Sequence, residues 1–446
     1  MPVFQIKEYG KIKSSEDYKE SINCDSEIVI NDKAFNSIWS YVLEFQSKGT
    51  SIDKAFKLFT KNGKKQIQVQ NFVGIIETQD KTVIEILPKI FSQDGELGIT
   101  ACKKIFLKLV ASSANVPYIS FQQAGLDTVE NFPILEVFID NYILEIEQLL
   151  LKGLKNDYTK VEQNSEFLKG QLLFSKDILR NLIDKSKFYT RFTRYHVDIP
   201  QNRIIKSTLF KLFNITLLSK NKARLRKLIL MFSDISPSKN VTEDLKIASK
   251  SSRLFSAYEK ALFWSEQFLL DKSFTSFSGD KINQAILFPM ERLFEEFVTK
   301  QFRKFAKQYL VHAQGSRHFL VDQHNGKSKF KLKPDLYMQA RNFGMSDIIA
   351  DTKWKIIDAF SSDKNYLISQ TDMYQLYAYG KKYSNNSNVV KLALIYPLNK
   401  NFLSELPPFF YEKPHNNSSL ELLAIPFDLS GEYENQINSI LSRINQ

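Results

Sequence analysis

Lys329 to Lys355 reads KFKLKPDLYMQARNFGMSDIIADTKWK. Two β-like runs, Phe330 to Met338 and Asp347 to Trp354, flank a turn containing Arg341, Asn342, Phe343 and Gly344. A turn centred near Phe343 sets Asp335 opposite Asp351. Directly opposed residues on antiparallel strands hold their Cβ atoms roughly 4.5 to 5.5 Å apart on one face, so these carboxylates repel unless a cation lies between them. Lys353 follows Asp351 by two positions and shares its face, whereas Thr352 is expected to point away. The preceding Pro334 and the apolar Ile348-Ile349-Ala350 put this trio at the end of a buried strand, where an unpaired carboxylate is costly. Such a trio suits a phosphodiesterase dependent on Mg²⁺ (or Mn²⁺). Oxygen ligands from Asp335 and Asp351 would hold the metal, which polarises phosphate and activates water, while Lys353 positions the nucleophile and offsets charge. The competing reading is a solvated cross-strand salt bridge, because Asp-x-Lys also occurs at Asp17-Tyr18-Lys19 and Asp244-Leu245-Lys246.

The flanking segments add candidates. Tyr366 to Tyr383 has helical spacing and is rich in Gln and Tyr; Gln375 and Tyr379 share a face, as do Gln370 and Tyr374. Gln375 and Tyr379 are expected to reach over the site and hold water or phosphate; the alternative is tyrosines packed on the sheet with wet hydroxyls. Phe288 to Phe305 carries an apolar stripe of Met290, Phe294, Phe297, Val298 and Phe305, with Glu291 and Glu295 beside it and Glu296 on the solvent side. Glu295 or Glu291 would supply a further metal-site carboxylate, with Glu295 the chosen ligand and a surface ion pair the alternative for each. Val389 to Pro397 and Leu420 to Leu429 read as buried strands before a closing helix from about Asn435. The order is α, β-hairpin, α, β, β, α.

The chain has 446 residues, more than one ordinary core organises. We expect an α+β multidomain protein: a mixed α/β N-terminal module at 1–95, a mainly helical basic region at 96–275 and a C-terminal α/β domain at 276–446. In the first module a helix near Ala34 to Phe45 precedes a hairpin of QIQVQNFVGIIET and TVIEILPKI about Gln79-Asp80-Lys81. Ser92 to Gly98 reads as a linker, and a second break falls within Ser273 to Lys281. With 43% hydrophobic and 25% charged residues the chain is globular rather than disordered. No apolar run approaches the roughly 18 residues that span a bilayer and the N-terminus lacks a signal-peptide core, so a cytoplasmic protein with no membrane partner is expected. Two cysteines, Cys24 and Cys102, without a C-x-x-C pattern exclude a disulfide scaffold or structural zinc site.

Sixty-one Lys and Arg against 49 Asp and Glu give a formal charge of +12, which favours a polyanion, nucleic acid before an anionic membrane. Residues 151–230 hold 18 basic and 6 acidic side chains, so this window accounts for the whole excess. Lys185, Lys187, Arg191 and Arg194, with Lys220, Lys222, Arg224, Arg226 and Lys227, are the expected nucleic-acid contacts; a solvated face is the alternative.

Through Pro334-Asp335 and Asp351-Thr352-Lys353 the chain resembles the PD-(D/E)XK nuclease superfamily, and Gln375-x-x-x-Tyr379 is similar to the Q-x-x-x-Y element of some branches. It further resembles the McrC family, the nuclease subunit of McrBC-type modified-cytosine restriction systems. The resemblance is carried by Glu8-Tyr9-Gly10, NFVGII, IEILPKI, LKGQLLFSKDILRN, NRIIKSTL, MERLFEEFV, IADTKWK and DMYQLYAYGKKY in that order. It implies a PD-(D/E)XK restriction-endonuclease-like C-terminal domain that cuts DNA with a metal, in complex with a McrB-like AAA+ GTPase hexameric ring. It implies too that the N-terminal part contacts and stimulates the ring, and that the partner carries the DNA-recognition domain. The chain carries no motor of its own: Gly326-Lys327-Ser328 is the nearest approach to a phosphate-binding loop, and Val321 stands where its first glycine is required. Greater length than the family's compact members leaves open a system reading a fixed, unmodified site. A non-catalytic adaptor of an AAA+ ring on DNA, and an RNA-processing nuclease, are the other functions weighed.

Overall fold

The computed structural model describes residues 2–18, 23–46, 55–113, 133–249, 253–270, 282–315, 318–342, 344–384, 390–412 and 420–445. The expected break at 273–281 and the turn centre Phe343 lie outside them. Contacts divide the chain into two units, Met1–Ile134 with Ser273–Gln446, and Leu135–Lys272. Among the described residues no helix is long and apolar enough to cross a membrane.

One sheet makes the first and last parts of the chain a single unit. Its order is Val3–Lys7, Val83–Leu87, Phe72–Thr78, Ile282–Pro289. Phe72–Thr78 is buried along its whole length, as a strand covered on both faces must be. It forms the expected hairpin with Val83–Leu87, although the expected first strand Gln66–Thr78 is divided, with Lys64–Val69 pairing in another sheet; Ile282–Pro289 closes the other edge of Phe72–Thr78. Gly74 is required at that edge. Its φ is 141°, and a Cβ there would lie 1.9 Å from the Ile286 carbonyl oxygen. The strand that leads into the C-terminal part therefore belongs to the N-terminal sheet. A second sheet, Glu27–Ile30, Lys11–Ser14, Lys64–Val69, Phe56–Lys61, accompanies the helix Asp32–Gln46. Within the expected linker, Phe91–Ser92 and Gly95–Glu96 pair as a short hairpin.

The C-terminal part is built on a six-stranded mixed sheet ordered Tyr309–Ala313, Leu336–Ala340, Ile348–Thr352, Lys391–Pro397, Glu421–Phe427, Phe409–Phe410. Leu336 pairs Ala350, Tyr337 pairs Ile349 and Met338 pairs Ile348, the expected register. Asp347 secures it, accepting from the Tyr337 hydroxyl at 2.6 Å and the Ala340 amide at 2.8 Å. The expected long run Phe330 to Met338 is two elements. Lys327–Lys331 pairs with Phe319–His324 in a separate ribbon, and Pro334, which lacks an amide donor, separates it from the main sheet. One face of the sheet, with Tyr337, Ile349, Leu392, Leu394 and Leu422, packs on Leu376, Tyr379 and Tyr383 of the helix Gln370–Tyr383. On the helix Met290–Phe305, the Phe294 ring lies 5.4 Å from Trp354 and 6.2 Å from Phe427. Alternation along each central strand supplies both layers.

The other unit is mostly helix but not purely helical. With the helices Pro200–Ile215, Ser219–Met231, Val241–Ala248 and Glu259–Leu269 it holds a three-stranded sheet, Asp157–Ser165, Phe188–His196, Gln171–Leu172. Little of Phe188–His196 is buried, so the sequence there carries no alternating core face to betray a strand.

Candidate functional site

Asp351 sits fourth in Ile348–Thr352, every residue of which is buried. The strand lies between an antiparallel and a parallel neighbour, so Asp351 is drawn into a dry position by the apolar residues before it. It is 0% exposed and its Oδ1 has no hydrogen-bond donor. Its Oδ2 meets the Lys353 ammonium. Asp335, half-buried, lies one residue outside the paired strand and faces the same end. Its Oδ2 accepts from the Thr352 amide and the Thr352 hydroxyl, both at 2.8 Å. Thr352 does not point away: Asp335 is beyond the ladder, where strand alternation no longer sets its direction, and the threonine fixes it.

Burial pushes both carboxyls above their ordinary range; the Glu295 charge adds to this at Asp335, and the Asp335 charge adds to it at Asp351. Burial is the largest single influence on Lys353 and opposes its charged form, but the charge and hydrogen bond of Asp351 together with the Asp335 and Asp372 charges outweigh it, and the lysine is raised. Lys353 Nζ donates to Gln375 Oε1 at 3.3 Å, Gln375 Nε2 to the Tyr379 hydroxyl at 2.7 Å, and that hydroxyl to the Lys333 carbonyl at 3.1 Å. Gln375 and Tyr379 therefore reach the site as expected, but their polar atoms hold Lys353 and the backbone before Pro334-Asp335. Gln370 and Tyr374 bond each other at the surface, 2.7 Å apart.

Of the two candidate glutamates, Glu295 faces the pair. Burial raises it, with the Asp351 charge contributing, and its Oε1 accepts from Gln314 Nε2 at 3.0 Å. Glu291 is exposed and accepts from Asn71 Nδ2 at 3.0 Å. Glu296 pairs with Arg292 at 3.2 Å. Among the described residues no group of three or more His, Cys, Asp or Glu side chains is arranged to hold a metal ion. The residues nevertheless fit a two-carboxylate Mg²⁺ or Mn²⁺ site: the donorless Asp351 oxygen beside Asp335 is what a divalent cation relieves, and Mg²⁺ is commonly held by one or two carboxylates with water and phosphate oxygens.

The expected nucleic-acid contacts fall in two parts of the basic window, one at and just before the strand Phe188–His196 and one on the helix Ser219–Met231. Arg224 lies between Asp140 and Glu147, 2.7 Å from the latter. It ties the helix Ser219–Met231 to Ile134–Leu151 instead of facing solvent free. Arg191 pairs with Glu162 at 2.7 Å and Lys187 with Asp184 at 3.1 Å. Lys222 and Arg226 lie over the Phe213 ring at 5.3 and 5.7 Å. Lys185, Arg194, Lys220 and Lys227 are exposed.

Sequence reasoning missed two partners. Lys355 Nζ lies 2.8 Å from Asp372, beside the Lys353–Gln375 contact. Glu8 is buried and accepts from Trp354 Nε1 at 3.0 Å and from the Lys89 amide at 3.0 Å. The Glu8 bond reaches across 346 positions to the residue after Lys353, and no spacing signal spans that distance.

Fold and geometry define a mixed α/β multidomain protein with a buried carboxylate–lysine cluster at the end of a central strand. The chain belongs to the McrBC family: the profile of the McrBC 5-methylcytosine restriction system component matches residues 67–397. It is similar in structure to a chain from the half-complex of the tetradecameric assembly of Thermococcus gammatolerans McrB AAA+ hexamers with bound McrC. Identity is 16% and the TM-score 0.65, over 98% of this chain and 100% of that one. A second match is the Thermococcus gammatolerans McrBC complex, at 17% identity and TM-score 0.45 over 66% of this chain and 85% of that one. No curated protein matches the chain.

Burial pushes the Glu8 carboxyl up to about 8. An unfolded glutamate titrates near 4.3, so the folded state binds this proton more tightly. Its stabilising contribution is whole below about pH 4.3 and is lost as pH rises through about 8. Glu8→Gln removes the loss. Urea unfolding from about pH 6 to about pH 9 will show the wild-type midpoint falling relative to that of Glu8→Gln; parallel curves contradict the assignment.

Proposed function

We propose that the chain is the metal-dependent DNA endonuclease subunit of a two-component restriction system, with a PD-(D/E)XK domain at its C-terminus. The observation that carries this reading is the buried Asp351 oxygen without a donor, beside Asp335 and Lys353. Asp335 and Asp351 would hold Mg²⁺ or Mn²⁺, with Glu295 near enough to bear on their charge; the metal supplies phosphate polarisation and an activated water. Lys353, held by Gln375, which Tyr379 fixes in turn, offsets charge gathering on the phosphate. Thr352 keeps Asp335 aimed at the site. A non-catalytic adaptor would have no use for this buried charge, which costs stability.

The proposed partner is a McrB-like AAA+ GTPase hexamer that this subunit stimulates and that reads 5-methylcytosine, a reading supported by family membership. We place the contact on the 157–196 lobe rather than on the N-terminal module. Phe167, Leu168, Phe174, Leu179, Leu182 and Ile183 are exposed there, Ile183 to 97%, and an exposed apolar cluster of this kind marks a protein interface.

With the partner, GTP and Mg²⁺, wild-type protein will cut methylated plasmid, and Asp351→Ala and Lys353→Ala will cut at least about 1,000-fold more slowly while folding normally; this is roughly 4 kcal/mol of transition-state stabilisation. Wild-type rates in either variant remove the site assignment, and equal cutting of RNA and DNA duplexes transfers the activity to RNA. Separately, Ile183→Glu will no longer co-elute with the ring in size-exclusion chromatography; undiminished co-elution places the contact elsewhere.

A further inference from the structure

The ribbon of Phe319–His324 and Lys327–Lys331 belongs to neither core sheet. It turns at Asn325-Gly326, with φ of 49° and 75°, the pair of left-handed residues that a tight hairpin turn requires. The Gly326-Lys327-Ser328 triplet, which cannot cradle phosphate as a nucleotide loop, is thus the start of the returning strand. That strand is exposed along its whole length. Lys327 pairs with His324, Lys329 with Val321 and Lys331 with Phe319, and the register shifts between Val321 and His324. Lys333 follows, also exposed. None of these four lysines has an ion-pair partner among the described residues. The ribbon's acid, Asp322, is 2.8 Å from Lys382 of the helix that carries Gln375 and Tyr379. Phe330, at φ 56°, is 73% exposed.

An isolated two-stranded hairpin is marginal by itself, and this one is anchored where it meets the site. The Leu332 amide donates to the His318 carbonyl at 2.9 Å, the His318 ring lies 4.4 Å from Tyr383, and Tyr379 holds the Lys333 carbonyl. Pro334 and Asp335 come next. A solvent-facing row of unpaired lysines adds nothing to the core but complements a polyanion. A two-stranded ribbon fits the major groove of B-form DNA, about 12 Å wide, and is shut out of the narrow major groove of A-form RNA.

We propose that this ribbon is a DNA-duplex contact that lies in the major groove, sets Lys327, Lys329 and Lys331 on phosphates and aligns the adjoining backbone with Asp335. The proposal rests on the nuclease reading and adds to it a duplex-binding element outside the basic window at 151–230.

The test is binding of a fluorescein-labelled DNA duplex to the full chain in EDTA, read by anisotropy over a salt series, for wild type and for Lys327→Gln/Lys329→Gln/Lys331→Gln. Each phosphate contact contributes roughly 0.9 to the slope of log affinity against log salt. The triple variant is therefore expected to flatten the slope by about 2 to 3 while its circular dichroism and melting temperature stay those of wild type. A wild type that binds with an unchanged slope in the variant overturns the ribbon alone, leaving the nuclease reading to the cleavage assay. A wild type that binds no duplex overturns the ribbon contact, and loss of cleavage in that assay as well overturns both. An RNA duplex that competes as well as DNA overturns the groove placement.

Discussion

Asp351 is enclosed by the sheet, and one of its carboxylate oxygens meets no donor from the protein. An ionised carboxylate in that position has lost its hydration and recovered only part of it through Lys353, a net cost to folding. The surrounding design is legible as the means of keeping that group in place. Five consecutive buried residues fix the strand, the Asp347 bonds fix its register, and Asp335 is aimed from the opposite strand by Thr352. Two carboxyls raised by burial, Asp335 also by the Glu295 charge and Asp351 also by the Asp335 charge, form a site of stored electrostatic stress, which a divalent cation would discharge.

That stress sets the cluster apart from an ordinary cross-strand salt bridge. A solvated pair would leave both partners wet and free to move, whereas here Lys353 is gripped by Gln375 and that residue by Tyr379. The same phenol holds the Lys333 carbonyl, so one helix fixes the lysine, the approach to Asp335 and the root of the lysine ribbon together. On the next turn of chain Trp354 is bonded by Glu8. The N-terminal segment thus bonds the residue that follows Lys353, and Ile282–Pro289 adds a strand to the N-terminal sheet. The two parts share one unit through these exchanges.

What the sequence made legible was governed by local rules. Alternation and a polar turn set Asp335 opposite Asp351, and helical spacing brought Gln375 and Tyr379 to one face, because each involves neighbours a few positions apart or a single hairpin. The Glu8–Trp354 bond depends on the packing of distant segments and left no pattern. The sheet at 157–196 escaped because both its faces are largely wet, removing the apolar alternation that announces a strand. Phe330 to Met338 looked continuous since Phe330, Leu332, Leu336 and Met338 keep a two-residue period through it, yet Pro334 breaks the ladder. Arg224 counted as a free cation in a charge tally; its carboxylate partners Asp140 and Glu147 come from another helix.

On the proposed function, the stressed carboxylate pair holds a divalent metal. Titrating Mn²⁺ into the full chain bound to DNA, by isothermal calorimetry, measures this without requiring turnover. Wild type is expected to bind the ion, and Asp351→Asn to bind it more weakly by more than the roughly 10- to 100-fold that changing an outer-shell partner costs. Equal Mn²⁺ affinity in the two proteins would contradict the account.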